Sequence, residues 1–293
     1  MPRRKKMTPG TLKRRVALFL NFQYRRLTAK DRVTPDFVVI GSQKCGTTSL
    51  YQYIKTHPNF VAPYKKGGTF FDANFSKGFS WYRAHFPLVS QMSEKRSGGG
   101  AYITGEVATS YIHHPLAAKR MAELLPSTVK LLAVIRNPVE RAYSHYQHMV
   151  RTGRETLSFR DALDAEAERV DLAIPRVVAG DDEALRFYRD YSYKSRGRYA
   201  EQLERWFDAF DRNQFLILKS EDLFGKPAWA CNQIYSFLNL PAWEQSHYDN
   251  ANPGRYSPAD VGTLGDLAEY FKPFNQRLYE MLGADLGWDA VKY

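Results

Sequence analysis

Cysteine is scarce in this sequence: Cys45 and Cys231 are the only two in 293 residues. Two thiols build no disulfide framework and sit at no metal-ligand spacing, so neither a disulfide scaffold nor a cysteine metal centre is expected. A reducing, cytoplasmic setting is the default expectation. Long apolar runs are also missing. FVVI at 37–40 and LLAVI at 131–135 are strand-sized, far short of the ~18–20 residues a membrane-spanning helix needs. Internal repeats and low-complexity linkers are absent as well.

Charge imbalance is missing from most of the chain despite a net charge of +11. Residues 1–32 hold eleven Lys or Arg and one acid, Asp31, a net of +10. Residues 33–293 hold the remaining 31 basic and 30 acidic residues, a net of +1. A nucleic-acid-binding domain carries its basic footprint on the folded surface, so no nucleic-acid partner is expected. The N-terminal run VALFLNF is seven residues long, contains Asn21 and leads into Arg25-Arg26. Without a small-residue cleavage site it does not read as a secretory signal. Two readings stay open: a solvated or docked arm, or a basic amphipathic helix in which residues 1–30 touch an anionic inner-membrane surface.

What is present is a regular alternation. Strand-like DFVVIG (36–41), ITGE (103–106), VKLLAVIR (129–136) and QFLILK (214–219) alternate with helical stretches at 47–57, 115–125, 138–150, 198–210 and 226–238. That pattern predicts an α/β fold, a three-layer α/β/α arrangement around a central parallel sheet. The charged stretch 151–195 reads as an excursion, not a second core. One domain, 33–293, is expected behind a basic arm, 1–32.

In an open α/β sheet, ligands bind beyond the carboxyl ends of the strands. There this sequence places Gly41-Ser42-Gln43-Lys44-Cys45-Gly46-Thr47-Thr48, then Gly105-Glu106, Arg136-Asn137-Pro138 and Lys219-Ser220-Glu221. A strand, a glycine turn and a helix start present backbone N–H groups to a phosphate. The spacing is that of a nucleotide-hydrolase phosphate loop, but the lysine stands at 44 and Thr47 occupies its usual place. No strand ends in a Mg²⁺-holding Asp either, since LLAVI runs into Arg136. The segment RNPVERAYSHY (136–146) adds an arginine able to grip a second phosphate, with Ser144 two turns along the helix.

At these two motifs the sequence resembles the sulfotransferases that use 3′-phosphoadenosine-5′-phosphosulfate (PAPS). It is most similar to the heparan-sulfate type of carbohydrate sulfotransferase and its bacterial relatives. The 5′-phosphosulfate loop matches Gly41 to Ser49, the R-N-P-x-x-R-x-x-S motif matches Arg136 to Ser144, and similarity extends over residues 35–290. The resemblance implies that Lys44, with the N–H groups of Gly46, Thr47 and Thr48, holds the 5′-phosphate, within a loop that includes Ser42, Cys45 and Ser49. It implies that Arg136 and Ser144 bind the 3′-phosphate, that Arg198 or Tyr199 closes over the adenine side, and that Gly254-Arg255-Tyr256 approaches the nucleotide. Cys45 itself reads as a packing residue. PAPS would be the donor and adenosine 3′,5′-bisphosphate (PAP) the product, with no metal required. The acceptor would be a hydroxyl or amine of a carbohydrate, free or on a glycolipid.

The match departs from the family at its catalytic base. Where the heparan-sulfate type carries Lys-Glu-x-His-Phe-Phe, this chain reads Lys66-Gly67-Gly68-Thr69-Phe70-Phe71-Asp72, and Val107 replaces a familiar lysine. Substitutes for the missing Glu are, in order, Glu106, Asp72 and His85. Each has a plainer role: an ion pair for Glu106, a turn cap for Asp72, core packing for His85. Three rivals remain open at this level: a phosphate-loop kinase or NTPase, against which Thr47 counts; a non-catalytic PAP- or glycan-binding relative, which Gly67 keeps open; and a membrane-surface scaffold, which rests only on the basic arm. His113-His114 lack a third ligand, so no metal site is expected.

Overall fold

The computed structural model describes residues 9–251, 259–291 and 293. Strands β1 (Phe37–Gly41), β2 (Gly105–Val107), β3 (Lys130–Ile135) and β4 (Phe215–Lys219) form one parallel sheet in the order β2-β1-β3-β4. The near-continuous apolar character of FVVI and LLAVI follows from burial on both faces, which parallel strands between helix layers require. Side chains leave alternately to the two layers. Val38, Ile40, Leu131, Ala133 and Ile135 join one core cluster with Phe70, Leu203 and Trp206. Phe37, Val39, Leu132, Val134 and Leu218 join the other with Leu50, Ile54 and Ile234. The expected three-layer α/β/α architecture is what the chain adopts.

The helices include α1 (Pro9–Leu27), α2 (Thr47–Lys55), α3 (Ala117–Leu124), α4 (Pro138–Arg151), α5 (Asp182–Tyr191), α6 (Tyr199–Phe207), α7 (Pro227–Phe237) and α8 (Val261–Leu282), besides Val89–Ser97 and several of six residues or fewer. The start of α4 is fixed locally. Asn137 Oδ1 accepts from the N–H groups of Val139 (3.0 Å) and Glu140 (3.4 Å), and Pro138 fills the first helical position, where its missing N–H costs nothing. The charged excursion folds into short helices around a small cluster of Val170, Val177, Leu185 and Tyr188. α8 has no counterpart in the sequence reading, because Gly262, Gly265 and the internal Pro273 interrupt a helical pattern.

Gly105 in β2 shows how tightly the sheet is covered. A Cβ there would meet the Phe37 ring at 2.3 Å. Gly105→Ala is expected to destabilise the fold by about 1–3 kcal/mol through overpacking. At Gly225 an added Cβ meets nothing within 4 Å, and Gly225→Ala should stay within about 0.5 kcal/mol. Urea unfolding of the two variants checks the contrast.

Candidate active site

The carboxyl end of β1 turns through Ser42–Gly46 into α2. Lys44 (φ 70°) and Gly46 (φ 94°) both adopt left-handed backbone on either side of Cys45. Such alternation turns successive N–H groups toward one point, the geometry of an anion nest. Glycine at 46 is required twice over: the positive φ disfavours a side chain, and a Cβ would lie 2.9 Å from the Phe224 ring. As the N-cap of α2 it brings no capping side chain, so the first-turn N–H groups are left for a ligand.

This loop forms one wall of a cleft of about 550 Å³ whose lining includes Lys44, Thr47, Thr48, Arg136, Ser144 and Arg151. Burial lowers the Lys44 pKa first, and the nearby charges of Arg151, Arg136 and Arg141 lower it further. Cations that depress one another across a shared cleft are stabilised by an anion between them. Carboxylates temper the site. Glu140 Oε2 pairs with Arg136 at 2.5 Å, and Glu221 Oε1 accepts from the Asn137 N–H at 2.9 Å.

Tyr199 braces the two motifs from behind. Its hydroxyl donates to the Arg136 carbonyl at 2.9 Å and lies 3.7 Å from Cys45 Sγ. The ring is buried, so it does not close over a nucleotide, as the resemblance had implied for this position. Arg198 stands apart from the cleft, pairing with Glu201 at 3.5 Å and lying over the Phe274 ring. Cys45 is fully buried with its thiol pushed up to about 11 by desolvation, which fits a packing role. Ser42 is buried in the loop. Ser49 Oγ accepts from the Ala251 N–H at 3.0 Å, tethering the start of the segment that contains Gly254, Arg255 and Tyr256. Those three lie outside the described residues.

The three base candidates part company. Glu106 is buried; Oε1 accepts from the Gly68 N–H (3.0 Å) and the Tyr111 hydroxyl (2.7 Å). Oε2 completes no hydrogen bond of good geometry. Desolvation outweighs these bonds and raises its pKa to about 7. Asp72 accepts from the Ala73 N–H at 2.6 Å and from the Ser110 hydroxyl, which is the turn-cap role. His85 is held by the carbonyls of Trp81 and Tyr82 through Nδ1. Its ring packs between Trp81 (4.5 Å) and Phe22 of α1 (4.9 Å), and burial lowers its pKa. His85 is therefore a packing residue away from the cleft.

The structure also explains Gly67. Segment 66–68 runs against β2, with the Val107 N–H bonded to the Lys66 carbonyl at 3.0 Å. A Cβ at 67 would meet the Val107 carbonyl oxygen at 2.4 Å. A glutamate cannot occupy that position on this backbone, and Glu106 supplies a carboxylate one strand away. Sequence reasoning missed Lys66, whose Nζ donates to Thr48 Oγ1 at 3.1 Å, and Arg151 and His148 of the cleft wall. The spacing 144, 148, 151 along α4 is the signal that would have found the last two.

A phosphate-type loop on β1, an arginine at the end of the adjacent strand β3 and a buried carboxylate on β2 define an enzyme that transfers a group from a phosphorylated donor. The chain belongs to the sulfotransferase family: the Sulfotransferase domain matches residues 34–252. It is 29% identical over 278 residues to heparan sulfate glucosamine 3-O-sulfotransferase 6 of Homo sapiens, covering 87% of this chain and 73% of that one. It is 23% identical to the membrane-associated sulfotransferase kil1 of Dictyostelium discoideum, covering 87% and 66%. A solved sulfotransferase of Alicyclobacillus acidocaldarius superposes with a TM-score of 0.62 at 29% identity, covering 87% and 99%. The chain spans only 24% of the bifunctional heparan sulfate N-deacetylase/N-sulfotransferase 1 of Caenorhabditis elegans. Membership of this family sets aside the kinase and NTPase reading.

Tyr199→Phe tests the brace. Loss of the hydroxyl removes its hydrogen bond to the Arg136 carbonyl and should destabilise the fold by about 0.5–1.5 kcal/mol. PAP affinity should fall with it, and thermal melts with and without PAP check both effects.

Proposed function

We propose that the protein transfers the sulfuryl group of PAPS to a hydroxyl or amine of a carbohydrate acceptor, in the cytoplasm and without a metal. The observation that carries this reading is one cleft lined by both the Lys44 loop and the Arg136–Ser144 pair. Lys44 and the N–H groups of Gly46, Thr47 and Thr48 hold the 5′-phosphate and neutralise it as it leaves. Arg136 and Ser144 hold the 3′-phosphate. In-line transfer then needs positioning and charge stabilisation above all. The acceptor oxygen or nitrogen bonds to sulfur, the bond from sulfur to the bridging phosphate oxygen breaks, and the acceptor proton passes to Glu106. A carboxylate with its pKa raised to about 7 is poised for that step near neutral pH. Relatives named for heparan sulfate support a carbohydrate acceptor, and the two reduced thiols support the cytoplasm.

Calorimetric titration without Mg²⁺ should show micromolar PAP binding that disappears in Lys44→Ala and Arg136→Ala. Absence of PAP binding, or ATP binding that requires Mg²⁺, sinks the reading. With a glucosamine oligosaccharide as acceptor, Glu106→Gln should lower kcat/KM by about 10²–10⁴-fold while PAP still binds. The acting form of Glu106 is the carboxylate, so wild-type kcat/KM should climb as pH rises through about 7. PAP binding with no transfer by the wild-type protein would instead identify a non-catalytic relative.

A further inference from the structure

α1 has two unlike sides. Phe22 and Arg25 face the domain: the Phe22 ring lies 5.8 Å from Tyr64 and 6.1 Å from Trp81. Arg25 donates to the Ala84 and Phe86 carbonyls at 2.6 and 2.8 Å and covers the Tyr64 ring at 4.9 Å. Val16, Leu20, Tyr24 and Leu27, at helical spacing on one face, point the other way with Phe19 beside them. These five are between 49% and 81% exposed, and no described element covers them.

Charge decides what does cover them. Arg14, Arg15 and Arg26 belong to the same helix, and Arg3, Arg4, Lys5 and Lys6 precede it in sequence. The domain beyond residue 32 is nearly neutral, so attraction to an anionic surface is concentrated on this arm. A second copy of the chain would bring the same positive charges against each other. A surface that is negative at its rim and apolar beneath satisfies both halves of the helix.

We propose that α1 lies on an anionic membrane surface, with Val16, Phe19, Leu20, Tyr24 and Leu27 in the lipid and the arginines among the headgroups. The opposite side of α1 packs on Trp81, which stands 3.5 Å from the Cβ position of Gly68, the residue whose N–H holds Glu106. Glu106, the base of the proposed transfer, is thereby linked through Gly68 and Trp81 to the membrane-facing helix. Resting on the sulfuryl-transfer reading, this assigns the acceptor to lipid-linked glycans.

Flotation with phosphatidylcholine vesicles, with and without phosphatidylglycerol, tests the binding in the absence of any donor. The full chain should float with the anionic vesicles, come off at high salt, and remain in solution with neutral ones. Leu20→Glu with Leu27→Glu should lower binding at least about tenfold while PAP affinity stays unchanged. Equal binding to neutral vesicles, or undiminished binding by the double variant, overturns the proposal. So does a dimer in light scattering that the double variant converts to monomer, since the face would then pair copies. An acceptor oligosaccharide coupled to lipid in anionic vesicles should be sulfated faster than the free one. Vesicle binding without that advantage refutes the acceptor assignment alone, and loss of all transfer refutes the chemistry instead.

Discussion

The parallel pairing of β1 with β3 is the constraint on which the cleft depends. It sets Phe37 beside Lys130 and Gly41 beside Ala133, so the loop after β1 and the arginine after β3 emerge side by side. Two motifs nearly a hundred residues apart in sequence thus line one cavity through main-chain hydrogen bonds in the sheet centre. Tyr199 then holds the spacing, because a single hydroxyl contacts the backbone at Arg136 and the thiol of Cys45. Preorganisation of this kind is what group transfer demands, since little covalent chemistry is left to the protein.

Much of this was legible in the residues. Buried strands announce themselves as short apolar runs, and the Gly-rich loop and R-N-P-x-x-R-x-x-S spacing depend on local backbone chemistry. Asn137 and Pro138 mark the start of α4 just as their capping chemistry dictates. Less legible were the features set by packing across long sequence separations. Nothing local distinguishes Tyr199 as a buried brace from a tyrosine lying over a nucleotide; its partners come from β3 and the loop. Lys66 reaches Thr48 only because segment 66–68 lies along β2. α8 escaped notice because its glycines and Pro273 obscure a helix that contacts with α4 and α6 sustain.

His85 and Gly67 are instructive together. Gly67 stands where the family's Glu was expected and His85 was a candidate substitute for it; each is explained by a neighbour. Burial in an aromatic slot shared with α1 lowers the His85 pKa, and the ring serves to attach that helix. Gly67 is forced by the Val107 carbonyl, and Glu106 stands on the neighbouring strand. At position 67 the segment contributes backbone, and its side-chain contact with the loop comes from Lys66.

The ion pair between Arg136 and Glu140 has a consequence for selectivity. An incoming anion does not meet a bare guanidinium; it must exchange with a carboxylate already seated one helical turn away. A singly charged group offers Arg136 little that Glu140 does not. A doubly charged phosphate would offer more, and Glu140 is half-exposed to the water that would then solvate it. On the proposed reading, the pair would favour a dianion over a monoanion at Arg136.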